Sequence, residues 1–365
     1  MTSPALHTRI CDLFGIRYPI IQTGMGWVAG ARLTAATSNA GGLGILASAT
    51  MTVDQLRVAI AEVKARTSYN FGVNLRSDQA DVNERVKLII DSRVKVASFA
   101  TAPKKELIAR LKGEGVLCMP TVGARRHAEK VAEWGVDAVI AQGHEGGGHT
   151  GDVPTTLLLP QVVDAVRIPV LGAGGFFDGR GLVAALAYGA SGIAMGTRFL
   201  LTKESTVPDE IKAIYLATQV SGTVVTRSID GFPQRVIRTP FIDGLEGAGP
   251  LARLWRSLVH AWHFRKLTGS SFAKLLQEGM AMRAHGDLTL PQMAMAASAP
   301  MLTRATMVEG RAEVGILPTG QNVGVIDELP TVAELIERIV READEALGRL
   351  QALPSVCTTA TEKAS

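Results

Sequence analysis

Short segments rich in Val, Ile and Leu alternate with longer amphipathic segments eight times between residues 18 and 201. This alternation is typical of βα units, which place parallel strands side by side in one sheet and helices outside it. Eight such units in succession predict an α/β fold of the TIM (β/α)8 barrel type. The predicted strands are 19–23, 43–48, 71–75, 94–99, 116–121, 138–142, 169–172 and 192–195. Predicted helices between them include 53–66, 82–92, 104–112, 124–134, 157–166 and 181–188, with Gly113, Gly115, Gly135 and Gly189 at helix C-caps.

Glycine-containing turns follow the seventh and eighth predicted strands. Residues 170–178 read VLGAGGFFD, and residues 194–199 read AMGTRF. Glycine lets the backbone approach a phosphate group with its N–H groups directed inward, and TIM barrels commonly bind phosphate on these two loops. A Rossmann fold is the alternative, but it needs an acidic residue about twenty positions further on, where the sequence reads Met195-Gly-Thr. The two turns therefore favour a phosphate site on a barrel.

The 365-residue composition narrows the class of protein. With 47% apolar residues and 38 glycines, the chain suits a compact α/β enzyme, and a net charge of +4 is too small to predict a nucleic-acid partner. The three cysteines form no CxxC pair, which predicts neither a disulfide framework nor a zinc site and favours the cytoplasm. Charged residues near the N-terminus and glycines within the apolar runs predict no signal peptide and no membrane span. The sequence is compatible with a homodimer.

The βα repeat stops near residue 202, which predicts an insertion in the barrel. We assign 1–204 and 311–350 to the barrel, 205–310 to a helical cap that binds substrate, and 351–365 to a flexible tail. The amphipathic segment 327–347 is predicted to be the eighth barrel helix.

The predicted C-terminal strand ends, where barrel active sites lie, are rich in glycines and amides and poor in carboxylates. This composition disfavours glycosidases, which need paired carboxylates, and metal enzymes. The loop 144–149 contains two histidines and a glutamate, but its glycines would not fix ligand geometry, so no metal is predicted. A phosphate-bearing organic cofactor such as FMN explains the pattern better. His149 is then the candidate acid or base. The alternative is that this histidine only stabilises the loop.

From about residue 9 to 347 the sequence resembles the FMN-dependent nitronate monooxygenase (2-nitropropane dioxygenase-like) family. The motifs that carry this resemblance are 19–25 (PIIQTGM), 39–43 (NAGGL), 71–74 (FGVN), 142–151 (QGHEGGGHTG), 172–181, 195–199 (MGTRF) and 319–321 (TGQ). Residues 22–50, 172–181 and 201–209 look closest to an actinobacterial steroid-degradation branch, whose members dehydrogenate a hydroindane-ring acyl-CoA. Thr121 departs from the lysine of some members, and Gly146 and Gly147 also depart from the usual pattern.

The resemblance implies that His149 is the catalytic histidine. It implies FMN contacts from Gly24, Met25, Gly26, Asn74, Gly147, Gly148, Ala173, Gly174, Gly175, Gly196 and Thr197. Arg76, Thr121 and Gln142 are added as cofactor-binding candidates because they lie at the same strand ends.

The substrate-binding candidates are Arg253, Arg256, His260 and Gln321. The cationic residues among them either pair with CoA phosphates or form a solvated helix face. NADH or NAD is the expected electron partner. The alternatives are a nitronate monooxygenase, an NAD(P)H:quinone reductase, or a flavin-binding protein without turnover.

Overall fold

Eight parallel strands form a closed barrel in the computed structural model, which describes residues 3–100, 103–246 and 290–352. Neighbouring strands pair in chain order, and the last barrel strand pairs with the first, Ile21 opposite Ala194. This closure confirms the predicted TIM barrel. The barrel strands are β1 (Ile20–Gln22), β2 (Leu43–Ala47), β3 (Gly72–Leu75), β4 (Val96–Phe99), β5 (Leu117–Val122), β6 (Val139–Gln142), β8 (Val170–Ala173) and β9 (Gly192–Met195). The two-residue strand β7 (Gly148–His149) lies outside the barrel.

Helices surround the strands. The first and last residues of each predicted strand lie within two residues of the observed ends. Gly115, Gly135 and Gly189 follow helices with left-handed φ values of 75°, 82° and 87°. The C-cap prediction for Gly113 is wrong, because the helix continues through Gly113 and the chain turns at Gly115. The helices of the barrel are α1 (Arg9–Phe14), α2 (Ala31–Asn39), α3 (Val53–Arg66), α4 (Val82–Asp91), α5 (Lys105–Gly113), α6 (Arg125–Glu133), α7 (Thr155–Ala165), α8 (Gly179–Ala187) and α9 (Thr197–Leu200).

Apolar side chains fill two layers, one inside the barrel and one between strands and helices. Ile21, Ile45 and Leu171 belong to the inner layer, and all three are fully buried. Ile10 and Phe14 of α1 join the same cluster, so this helix closes the N-terminal end of the barrel. Strands buried on both faces read as continuous apolar runs, which is why periodicity located them well.

The segment between α9 and the last helix contains three described α-helices, α10 (Asp209–Ala217), α11 (Pro240–Glu246) and α12 (Leu290–Met307). It also contains two strands, β10 (Thr223–Thr226) and β11 (Gln234–Ile237), in a segment that we predicted to be helical. These strands and β7 form an antiparallel sheet in the order β10-β11-β7. Pairing with a distant loop stabilises these short strands, and local sequence periodicity does not show such pairing.

The last described helix, α13 (Val332–Gln351), packs against α8 and α2. It begins at a capping box in which Thr331 and Glu334 exchange side-chain to backbone hydrogen bonds. A Cβ on Gly179 would lie 2.3 Å from the Ala343 backbone nitrogen, so glycine lets α8 and α13 approach closely. This helix therefore takes the place predicted for the eighth barrel helix.

None of the described helices combines the length and the apolarity needed to span a lipid bilayer.

Candidate active site

The predicted cofactor residues lie at the C-terminal ends of the barrel strands, and the fold brings several of them into contact. A Cβ on Gly24, after β1, would lie 2.4 Å from the Asn74 Cβ at the end of β3. A Cβ on Gly196, after β9, would lie 3.4 Å from the Met25 sulfur. Asn74 is buried and donates from Nδ2 to Ser98 Oγ at 2.9 Å. The loops after β1 and β9 and the end of β3 thus form one surface.

Gly174 and Gly175 form the turn after β8, with left-handed φ values of 95° and 83°. A Cβ on Gly174 would lie 3.0 Å from the Gly146 nitrogen and from Thr155 Oγ1. Glycine is therefore required there both by the backbone conformation and by the close approach of the loop after β6. The turn has the form of a cradle in which backbone groups can meet a phosphate.

Thr197 and Gly320 join the second glycine turn to the segment near Gln321. Thr197 is buried, and its hydroxyl accepts a hydrogen bond from the Gly320 backbone nitrogen at 2.8 Å. The Gln321 backbone nitrogen donates to the Glu145 carbonyl at 2.9 Å. A Cβ on Gly147 would lie 2.5 Å from the Thr319 carbonyl carbon. The sequence motifs at 142–151, 195–199 and 319–321 therefore meet at the same place.

Three buried amide oxygens lack a hydrogen-bond partner among the described residues, those of Gln22, Gln79 and Asn322. Two of them, Gln22 Oε1 and Asn322 Oδ1, lie beside the predicted cofactor loops. Gln22 is fully buried at the end of β1, and Asn322 donates from Nδ2 to the carbonyl of Phe176, beside the Gly174–Gly175 turn. An unpaired buried acceptor is costly unless a ligand or water donates to it. Ribityl hydroxyls and a ring N–H are donors of this kind, so both oxygens fit a flavin.

Glu145 does not direct a free carboxylate into the site. Its Oε2 accepts from the Thr155 nitrogen at 2.9 Å and from the Thr155 hydroxyl at 2.7 Å, at the start of α7. A carboxylate at a helix N-terminus is favourable because it satisfies an open backbone donor. Glu145 therefore caps the start of α7.

Arg235 of β11 supplies a buried positive charge next to the histidine loop. Its guanidinium donates to the His144 carbonyl from Nη2 at 3.1 Å and to Thr223 Oγ1 from Nη1 at 2.9 Å. Burial lowers the pKa of Arg235, and the negative charge of Glu145 opposes that effect. A cation in this position favours an anionic ligand nearby.

His149 lies on β7 with a side chain that is 59% exposed. Its Nε2 lies 2.7 Å from Asp230 Oδ2, and Gln142 Nε2 donates to its backbone carbonyl at 2.7 Å. The Phe232 ring meets the imidazole edge to face, with centroids 6.2 Å apart. An accessible imidazole held in this way can give or take a proton.

The remaining candidates are placed less centrally or fall outside the described ranges. Arg76 follows β3, but its Nη2 pairs with Asp78 Oδ2 at 2.6 Å on an exposed surface. Thr121 is half-buried near the end of β5. Arg253, Arg256 and His260 lie outside the described residues. Within the described ranges no group of three or more His, Cys, Asp or Glu side chains could hold a metal ion.

Sequence reasoning missed Asp230, Phe232, Gln234 and Arg235. Asp230 is 81 positions from His149 in the chain and carries no motif. The only local signal was the β-branched run at Thr223–Thr226, which is typical of a strand. The sequence does not show which distant segments pair with that strand, because such pairing is a tertiary interaction.

The family model for nitronate monooxygenase matches residues 7–87 and 82–342. A Rhodococcus jostii RHA1 protein, "(3aS,4S,5R,7aS)-5-hydroxy-7a-methyl-1-oxo-octahydro-1H-indene-4-carboxyl-CoA dehydrogenase", is 54% identical over 348 residues, 95% of this chain and 99% of that protein. A Mycobacterium tuberculosis H37Rv protein of the same name is 55% identical over 351 residues, with the same coverage. The solved structure of FabK from Thermotoga maritima superposes with a TM-score of 0.77 at 36% identity, covering 94% of this chain and 98% of FabK.

Proposed function

Because the chain belongs to the nitronate monooxygenase family and is an oxidoreductase, we propose that it dehydrogenates a bulky alicyclic acyl-CoA with the help of FMN. One observation carries the proposal: two relatives named as an indene-carboxyl-CoA dehydrogenase match at 54% and 55% identity. Each match covers 95% of this chain and 99% of the relative, so it includes the insertion as well as the barrel. The substrate class proposed is a hydroindane-ring acyl-CoA thioester of steroid degradation.

The FMN phosphate is proposed to bind at the backbone of Gly174, Gly175, Gly196 and Thr197. The ring and ribityl chain would meet the loop from Gly24 to Gly26 together with the amides named above. The left-handed glycine turn and the unpaired buried oxygens of Gln22 and Asn322 support this assignment. Arg76, Thr121 and Gln142 stay predicted contacts, and Arg76 would have to leave Asp78 to make one.

Dehydrogenation removes a hydride and a proton from adjacent carbon atoms of the substrate. When bound, FMN supplies the hydride acceptor, and NAD is the proposed partner that takes the electrons on. His149 takes the proton, because it is the accessible imidazole at the rim of the site. Gln142 and β11 hold its backbone, so the ring is presented from a fixed position.

The insertion, 205–310, is proposed to bind the acyl-CoA through Arg253, Arg256 and His260. Gln321, in the barrel segment 311–350, is a further proposed substrate contact. Gln321 lies against the histidine loop through its hydrogen bond to Glu145. The division into barrel, insertion and tail, the cytoplasmic location and a homodimer stay predictions.

An anaerobic titration of the purified, FMN-loaded protein tests the proposed reaction. We expect a hydroindanone acyl-CoA to bleach the flavin absorbance and NAD to restore it. A shortened acyl-CoA such as acetyl-CoA is the control, since it carries the CoA group without the ring system. Full bleaching by acetyl-CoA, or no bleaching by the hydroindanone thioester, would contradict the proposed substrate.

Nitronate monooxygenation is the second candidate, and the name of the matching family model favours it. That reaction needs no CoA site. If propionate 3-nitronate bleaches the flavin anaerobically and the acyl-CoA does not, this second function replaces the first.

A further inference from the structure

The carboxylate of Asp230 is the hydrogen-bonding centre of a small cluster around His149. Its Oδ1 accepts the Phe232 backbone N–H at 3.1 Å. Its Oδ2 lies 2.7 Å from His149 Nε2 and 2.5 Å from Gln234 Nε2. The Asp230 side chain is only 18% exposed, whereas that of His149 is 59% exposed. Both carboxylate oxygens of Asp230 therefore already accept hydrogen bonds from the protein.

The chemistry of these atoms determines which imidazole nitrogen carries hydrogen. An ionised carboxylate only accepts hydrogen bonds, so the nitrogen that contacts it must donate. Gln234 Nε2 donates to the same Asp230 oxygen and lies 3.2 Å from His149 Nε2. A neutral His149 ring in this setting carries its hydrogen on Nε2 and a lone pair on Nδ1.

The backbone around the cluster is fixed on both sides. Gln234 of β11 pairs with His149 of β7, and the Thr150 nitrogen donates to the Pro233 carbonyl at 3.0 Å. Gly231, between Asp230 and Phe232, has a left-handed φ of 86°, which turns the chain back towards the histidine. The insertion thus delivers a carboxylate to a histidine of the barrel loop.

We propose that Asp230 is a positioning residue that holds His149 in the Nε2–H form and leaves Nδ1 as the nitrogen that exchanges the substrate proton. The catalytic part of this inference rests on the proposed role of His149. Asp230 acts through the imidazole and does not itself contact the reacting atoms. The same logic, a carboxylate that sets the tautomer of a neighbouring histidine, operates in serine proteases.

The substitution Asp230→Asn makes a sharp prediction because the two carboxylate oxygens have different partners. The Phe232 N–H needs an acceptor, so the asparagine oxygen takes the Oδ1 position and its NH2 group takes the Oδ2 position. That NH2 group then donates to His149 Nε2, and the Gln234 amide turns over so that its oxygen accepts from the new NH2 group. Nε2 must become the acceptor, and the hydrogen moves to Nδ1. The variant therefore reverses the tautomer with almost no change in shape.

The first readout is nitrogen NMR of the FMN-loaded protein labelled with 15N-histidine, recorded at alkaline pH. The His149 signals are assigned by their absence in His149→Gln. We expect an Nε2–H ring in the wild type and an Nδ1–H ring in Asp230→Asn. An Nδ1–H ring in the wild type overturns the proposal, and this measurement does not depend on the variant folding.

The second readout is the rate constant of anaerobic flavin bleaching by the hydroindanone acyl-CoA. For Asp230→Asn we expect a decrease of roughly 10- to 100-fold at saturating substrate, a part of the ~10²–10⁴-fold that an acid–base group contributes. The substrate concentration at half-maximal rate stays unchanged, and Asp230→Glu restores part of the rate. The control is Asp243→Asn, a matched loss of charge in the same insertion, where the carboxylate pairs with Arg238 on an exposed surface.

The outcomes distinguish a failure of the Asp230 positioning role from a failure of the proposed function. If His149→Gln abolishes bleaching and Asp230→Asn bleaches at the wild-type rate, the positioning role is wrong and the proposed function stands. If His149→Gln bleaches at the wild-type rate, the proton role of His149 is wrong, and the catalytic part of this inference is overturned with it. Equal losses in Asp230→Asn and Asp243→Asn would also overturn it, because a general loss of charge would then explain both.

Discussion

Substitution of Gly174 by alanine tests whether the turn after β8 holds the cofactor phosphate. Gly174 has a φ of 95°, and its Cβ would lie 3.0 Å from the Gly146 nitrogen and from Thr155 Oγ1 and 3.1 Å from the Gly143 carbonyl oxygen. Left-handed backbone costs an alanine about 1–2 kcal/mol. The close contacts require the loop after β6 to shift by a few tenths of an ångström, which moves the cradle itself.

The control is Gly115→Ala, which imposes similar strain at a φ of 75° with no atom within 4 Å of the new Cβ. For a chain of 365 residues the unfolding entropy is roughly 0.8 kcal/mol/K, so a strain of about 1–2 kcal/mol lowers Tm by about 1–3 °C. We expect this decrease in both apoproteins and a larger one in Gly174→Ala, because only that variant adds the contacts.

Flavin fluorescence quenching on titration of FMN into each apoprotein gives the dissociation constants. We expect Gly115→Ala to bind as the wild type does, and Gly174→Ala to bind at least about tenfold more weakly, a loss of about 1.4 kcal/mol. Wild-type FMN affinity in Gly174→Ala would refute the assignment of the turn as the phosphate site.

Three further predictions concern other parts of the site and the core. His149→Gln should retain FMN and lose about 10²–10⁴-fold in bleaching rate, measured by stopped-flow absorbance; a loss of FMN would contradict a purely chemical role. Gly147→Ala should lower the unfolding free energy by about 1–3 kcal/mol in urea, because its Cβ would lie 2.5 Å from the Thr319 carbonyl carbon; Gly30→Ala, with no atom within 4 Å, is its control. Burial raises the pKa of the Cys118 thiol from 9.0 to about 12. Below pH 9 the thiol therefore leaves the free energy of unfolding unchanged. Between pH 9 and about 12 it lowers this free energy, because the thiol ionises in the unfolded chain and stays protonated in the folded one. Urea unfolding across that range should show a shallower fall in Cys118→Ala, and an unchanged slope would refute the assignment to this thiol.

The barrel was predictable because its information is local. Val, Ile and Leu runs such as Leu43–Ala47 are buried on both faces, and glycines mark the turns that follow. The turn at Gly174 and Gly175 was predictable for the same reason. A left-handed backbone strongly favours glycine, and glycine is visible in the sequence.

The surroundings of His149 were not predictable, because they depend on pairing between distant segments. Strand β7 has two residues, too few for any period, and its partner Gln234 lies 85 positions away. Asp230 is an ordinary turn aspartate until that pairing is known. Arg235 looks like a surface charge in the sequence, yet it is buried against the His144 carbonyl.

The position of α13 affects how the chain folds during synthesis. This helix fills the gap between α8 and α2, yet it follows α8 only after the whole insertion. Until Val332–Gln351 leaves the ribosome, the apolar faces of both neighbours are exposed to water and available to chaperones. The pairing of β1 with β9 adds a second contact of long sequence separation, so formation of the barrel is expected to be slow. A ribosome stalled before residue 332 would hold a chain in which α8 and α2 still present apolar faces to chaperones.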